Sequence, residues 1–271
     1  VLGKWAWDGS SRPWYDKRAR VRSVVTRDRV VVSNGDGMFR DLANCKSMDL
    51  SKLDVSRATS FSSMFSGCSR LQSLDLSGWD VSSAKYLSSM FFDCSSLRSL
   101  DVSGWDVSNA NGLYGMFSGC SSLQSLDVSD WDVSGVSDFR CIFSDCSSLE
   151  SLDVSAWDVS GASDLAGVFR GCSSLESLDV SAWDVSNVMR FNSVGTNQGI
   201  FCFCSSLVSL DVSGWDVSNA SDFSWMFCGC SSLESLDVSG WDVSNASSLY
   251  SMFWDCSSLR TLDLSDWDVS N

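Results

Sequence analysis

Cys120-Ser-Ser-Leu-Gln-Ser-Leu-Asp-Val-Ser-Asp-Trp-Asp-Val-Ser134 decides how this chain reads, because nearly the same phrase recurs along its length. The cysteine returns at 68, 94, 120, 146, 172, 204, 230 and 256, and the tryptophan at 79, 105, 131, 157, 183, 215, 241 and 267. The step is 26 residues except once, between 172 and 204, where it is 32. Self-similarity at such a period marks a solenoid, in which each unit is too small to bury its own apolar face and does so only against its neighbours.

One unit shows what the chain wants locally. From Ala84 the apolar residues fall at Leu87, Met90, Phe91, Cys94 and Leu97, spacings of three and four that predict one face of a short helix, part of it 3₁₀. Asn109, Asn187, Asn219 and Asn245 then read as caps at the starts of such helices. From Leu97 the period changes to two: Leu100 and Val102 face one way, Asp101 and Ser103 the other, as in a half-buried strand. The expected architecture is a right-handed α/β solenoid of about nine coils, with a parallel sheet on one face and short helices on the other.

The run Leu97, Leu100, Val102, Trp105, Val107 resembles a leucine-rich repeat with Trp where Asn is usual. The unit from Met226-Phe227-Cys-Gly-Cys230 to Asn245 resembles, almost word for word, the repeats of the BspA-like leucine-rich repeat surface proteins. The resemblance spans residues 38–271. It implies an extracellular or cell-surface protein that adheres to proteins or other surface macromolecules, and it implies no catalysis.

Residues 1–37 differ in kind. They carry Trp5, Trp7, Trp14, the single proline Pro13, and eight Lys/Arg against four Asp; the remainder has eleven against thirty. Two strands are expected, over 20–26 and 28–33, in a basic, β-rich N-terminal cap that covers the open end of the stack. That basic end meeting another copy's acidic array is a route to self-association. A net charge of −15 argues against nucleic acid. No apolar run long enough to span a membrane occurs. The chain starts at Val1 without Met and stops partway through a repeat at Asn271, so it reads as a fragment, with any signal or anchor outside it.

The longer step places an insertion at 192–199, with Thr196, Asn197 and Gln198 as candidate contact residues. Histidine is absent, which removes the commonest general base and metal ligand. No phosphate loop or nucleophile elbow occurs, and the identical serines single out no nucleophile, so an enzyme is not expected. Two aspartate columns remain. One contains Asp101, Asp127, Asp153, Asp179, Asp211 and Asp237; the other runs from Asp54 through Asp80 and Asp106 to Asp268. Each Asp is expected to accept from the Ser two residues on, with Ca²⁺ as the alternative offset for their repulsion and no other cofactor. The Asp101 column is the candidate ligand-binding face, with Arg98, Gln124, Glu150, Glu176, Val208, Glu234 and Arg260 varying beside it. The repeated cysteines read as a buried column of free thiols. Cys202-x-Cys204 with Cys228-x-Cys230 suggests a thiolate metal site only if core and outer cysteines could converge. Cys202 and Cys228, at the place where other repeats carry Ser66, Ser118, Ser144 or Arg170 and so expected to be partly exposed, are a candidate disulfide. The competing reading for the whole chain is a rigid scaffold subunit.

Overall fold

The computed structural model describes residues 6–7, 14–193 and 197–270; Trp5, Pro13 and Thr196 lie outside them. Successive coils are joined by parallel backbone ladders. On the strand face, β2 (Ser23–Val25) pairs with β4 (Ser47–Asp49). Further along, β6 (Ser73–Leu74) pairs with β7 (Ser99–Leu100). Parallel bridges continue this face at Ser125–Ser151, Ser177–Ser209 and Ser209–Ser235. A second ladder joins β1 (Ala6–Trp7), β3 (Val30–Val32) and β5 (Leu53–Asp54) in one parallel sheet. The expected N-terminal strands therefore form, and they enter the same stack as the repeats.

The expected helix face is different. Among the described residues the one helix is 3₁₀, Tyr15–Arg20; where helices were predicted, the chain makes consecutive turns. Residues 113–120 show the pattern. The N–H groups of Leu113, Gly115, Phe117 and Gly119 donate to the carbonyls of Asp138, Arg140, Ile142 and Ser144 in the next coil, at 2.8–2.9 Å. Those of Met116, Ser118 and Cys120 donate three residues back, to Leu113, Gly115 and Phe117. Gly115 and Gly119 lie at φ +56° and +76°, a left-handed excursion that an α-helix does not contain. The N–H of each of these glycines reaches the next coil while the N–H that follows bonds three residues back, so coils bond to one another where a helix would bond to itself.

Among the described residues the left-handed sites come in pairs four apart, except that Phe203 holds the second place of a pair whose first, Gly199, is not left-handed; ten of the sites are not glycine. In the second site of each pair, bulky and bare residues alternate from coil to coil: Asp93, Gly119, Asp145, Gly171, Phe203, Gly229. A Cβ at Gly119 or Gly171 would sit 2.4 Å from the carboxylate of the preceding Asp, so the larger side chain leans over its neighbour's glycine.

The core runs unbroken along the axis. Phe65, Phe91, Phe117 and Phe143 stack at 5.5–5.8 Å with planes within 6°. Trp14 extends this column beyond Phe39. Trp131 on Trp157, and Trp183, Trp215 and Trp241 in succession, form a second column at 6.3–6.5 Å. Their indole N–H groups donate to valine carbonyls of the preceding coil, as Trp157 does to Val128 at 3.1 Å. The cysteine column does likewise: each thiol donates to a phenylalanine carbonyl one coil back, for instance Cys94 to Phe65 at 3.2 Å. Burial pushes Cys94 and Cys146 up to about 12. All twelve cysteines are free thiols.

The insertion closes on itself: the Ile200 N–H donates to the Phe191 carbonyl at 3.0 Å, so both residues keep their places in the core. The buried Asn192 side chain accepts from the Gln198 N–H at its base.

Candidate interaction face

On the strand face each coil from Ser73 to Asp237 contributes Ser-Leu-Asp. The leucine is buried, and the serine and aspartate point out. Parallel pairing repeats this triplet at roughly 4.8 Å, giving a serine row beside an aspartate row. The rows enclose an open groove of about 1130 Å³, lined by Asp127, Asp153, Asp179, Asp211 and Asp237 with serines from Ser151 to Ser235. Asp101 stands in the same column outside that groove. The flanking row is mixed: Glu150 and Glu176 are exposed, Val208 is half exposed, and Arg260 pairs with Glu234 at 3.3 Å.

Each aspartate is positioned by its own turn. Ser155 donates to Asp153 Oδ1 from its hydroxyl at 2.7 Å and its N–H at 3.1 Å. The same pair of bonds forms at Asp101, Asp127, Asp179, Asp211 and Asp237. The expected Asx turns are therefore present, and they hold Asp153, Asp179 and Asp237 below the usual carboxylate range, the serine hydroxyl first and the backbone N–H second. One oxygen of each carboxylate is thus committed to the fold, which fixes a row of like charges at constant orientation.

Two sequence expectations change here. Cys202 and Cys228 are fully buried, where partial exposure was expected. Serine at this place proved a poor marker of exposure, since Ser66, Ser118 and Ser144 are buried too. The Phe203 N–H donates to the Cys228 carbonyl at 2.6 Å, so the two cysteines lie in adjoining coils, and burial raises both thiols. The asparagines cap no helix: Asn109, Asn187, Asn219 and Asn245 donate from Nδ2 to serine carbonyls of the preceding coil at 2.7–3.0 Å. In the insertion, Asn197 is exposed and Gln198 half-buried. The Asn197 carbonyl accepts from Arg170, which also binds Asp145, so this segment is tied to the turns and does not line the groove.

Comparison with known proteins agrees with a repeat architecture. The chain matches the family described as "Mycoplasma protein of unknown function, DUF285" over residues 33–151, 111–201 and 191–271, the overlapping registers a periodic sequence produces. The description names no reaction. No curated protein matches. Among solved structures, a leucine-rich repeat protein from Bacteroides ovatus is 18% identical, covering 95% of this chain and 70% of that one at TM-score 0.45. A leucine rich cell surface protein from Faecalibacterium prausnitzii is 15% identical, covering 88% and 86% at TM-score 0.33. A TLR13–ssRNA13 complex is 20% identical at TM-score 0.35, covering 76% of this chain and 32% of that one, about a third of its length. The family match takes in most of the chain, which belongs to the DUF285 family. Among the described residues no helix is long and apolar enough to cross a membrane.

Proposed function

We propose that this DUF285-family chain is a non-catalytic surface protein that adheres to a protein or another macromolecule through the groove of its strand face. The observation that carries the reading is the fixed, exposed row from Asp127 to Asp237 in one open groove. Rigid carboxylates at about 4.8 Å spacing favour a partner with closely spaced positive charges, and the net charge of −15 favours it at long range. Nucleic acid is disfavoured on the same ground. The basic N-terminal segment is itself such a partner, so weak head-to-groove self-association belongs to the same reading. A disulfide between Cys202 and Cys228, which lie in adjoining coils, fits an extracellular setting. The scaffold reading draws on the unbroken phenylalanine column, and it predicts no ligand for the groove.

Isothermal titration of a lysine-rich peptide separates the two. Wild type binds it, and binding weakens as salt rises. A variant with asparagine at 127, 153, 179, 211 and 237 loses it. Equal binding by that variant, or none by wild type, overturns the groove assignment.

A further inference from the structure

Outside the groove, three aromatic rings gather on the turn side of the last two coils. Trp225 stands where the same column has Gly115 and Gly167, and Trp254 where it has Ser66 and Ser118. Tyr250 is 67% exposed and Trp254 57%, and Trp225 between them is half-buried. Trp225 lies at φ +62°, a left-handed conformation that is an outlier for so bulky a residue. It is anchored there by its N–H, which donates to the Tyr250 carbonyl at 2.9 Å.

The rings form a corner. Tyr250 meets Trp225 at 5.4 Å and 70°, and Trp254 meets it at 6.4 Å and 69°. Two faces at steep angles to a third suit a compact guest better than a flat one. Two rings elsewhere on the turns are covered by an arginine of the chain: Arg140 lies 5.3 Å over Tyr114, in the same column as Tyr250, and Arg170 lies 5.7 Å over Phe203. Among the described residues no such cation covers the Trp225 corner. Asp255 follows Trp254 directly, in a chain of net charge −15.

We propose that Trp225, Tyr250 and Trp254 form a binding site for a quaternary ammonium group, of the kind carried by choline or trimethyl-lysine. Such cations are weakly hydrated, so they gain from several ring faces what a metal ion or a bare lysine would lose in leaving water. This site is separate from the groove and stands or falls without it.

The test is calorimetric titration of the full chain with tetramethylammonium, choline and the neutral choline isostere 3,3-dimethyl-1-butanol. The expected result is saturable binding of both cations, with the isostere at least about tenfold weaker. Trp254→Ser and Tyr250→Ser install residues that the same columns already hold, so the coils are expected to fold, which an unchanged melting temperature verifies. Each substitution weakens the cations by about tenfold or more. Phosphatidylcholine vesicles and a trimethyl-lysine peptide, run beside them, identify which source presents the group. The proposal is overturned by absent tetramethylammonium binding, by equal binding of the isostere, or by a Trp254→Ser protein that binds as wild type does.

Discussion

At the scale of single residues, the left-handed positions are the least forgiving. Gly171 combines φ +70° with the Asp145 carboxylate 2.4 Å from where a Cβ would stand. Gly214 has open space around it and an ordinary φ. Gly171→Ala is therefore expected to destabilise by about 1–3 kcal/mol, while Gly214→Ala stays within about 0.5 kcal/mol of wild type. Urea melts of the two proteins measure this, and equal stability would mean that the turn carries no such constraint. The paired glycines 115/119 and 167/171 were visible in the sequence, inside a segment read as helical. Two glycines four apart in so short a helix would cost it about 2 kcal/mol. That was the available sign that the segment was something else.

At the scale of the element, the period and the inward residues were legible, and the conformation carrying them was not. Leu113, Met116, Phe117 and Cys120 are fully buried, as a helix of spacing three and four would have them. Turns bonding three residues back give the same spacing, so the apolar pattern alone cannot separate the two. The strand face was legible throughout, because period two has no such competitor, and with it the Asx turns of the groove. The burial of Cys202 and Cys228 was not legible, since small polar residues hide as readily as cysteine does when the next coil lies over them. The weight of the core falls on the aromatic columns. Trp157 packs on Trp131, Phe139 and Phe143 and donates to Val128. Trp157→Ala is expected to cost about 3–5 kcal/mol. Asp153→Asn, exposed on the groove, should cost far less or stabilise by relieving repulsion along its column. A larger loss at Asp153 in the same denaturation series would give the aspartates a structural role beyond their turns.

At the scale of the whole molecule, the two repeated ionisable columns bound the pH range in which the stack persists. Asp75, Asp132, Asp153, Asp179 and Asp237 are held below the usual range by their serines. Their contribution is present above the unfolded value near 3.9 and is lost as pH falls through the folded values. The buried thiols act in the opposite sense. Cys94 and Cys146, raised to about 12, ionise first in the unfolded chain, near pH 8.5, so stability is full below that and falls as pH rises. Each such thiol costs on the order of 2 kcal/mol by pH 10. Thermal melts across pH are expected to show a plateau from about 4.5 to 8 with a steep alkaline fall. Melting at pH 11 equal to that at pH 7 would place the thiols outside the core. If the aspartates are held by serines alone, excess EDTA leaves the melting temperature unchanged at neutral pH, whereas a fall that Ca²⁺ restores would put a cation in the columns. All of this rests on coils that bond to one another through stacked turns. Scalar couplings across hydrogen bonds read that directly, in NMR spectra of labelled protein. The predicted couplings join the Phe117 nitrogen to the Ile142 carbonyl carbon and the Gly119 nitrogen to that of Ser144. Couplings from Phe117 to Leu113 and from Cys120 to Met116, four residues back, would show helices on this face and contradict the account.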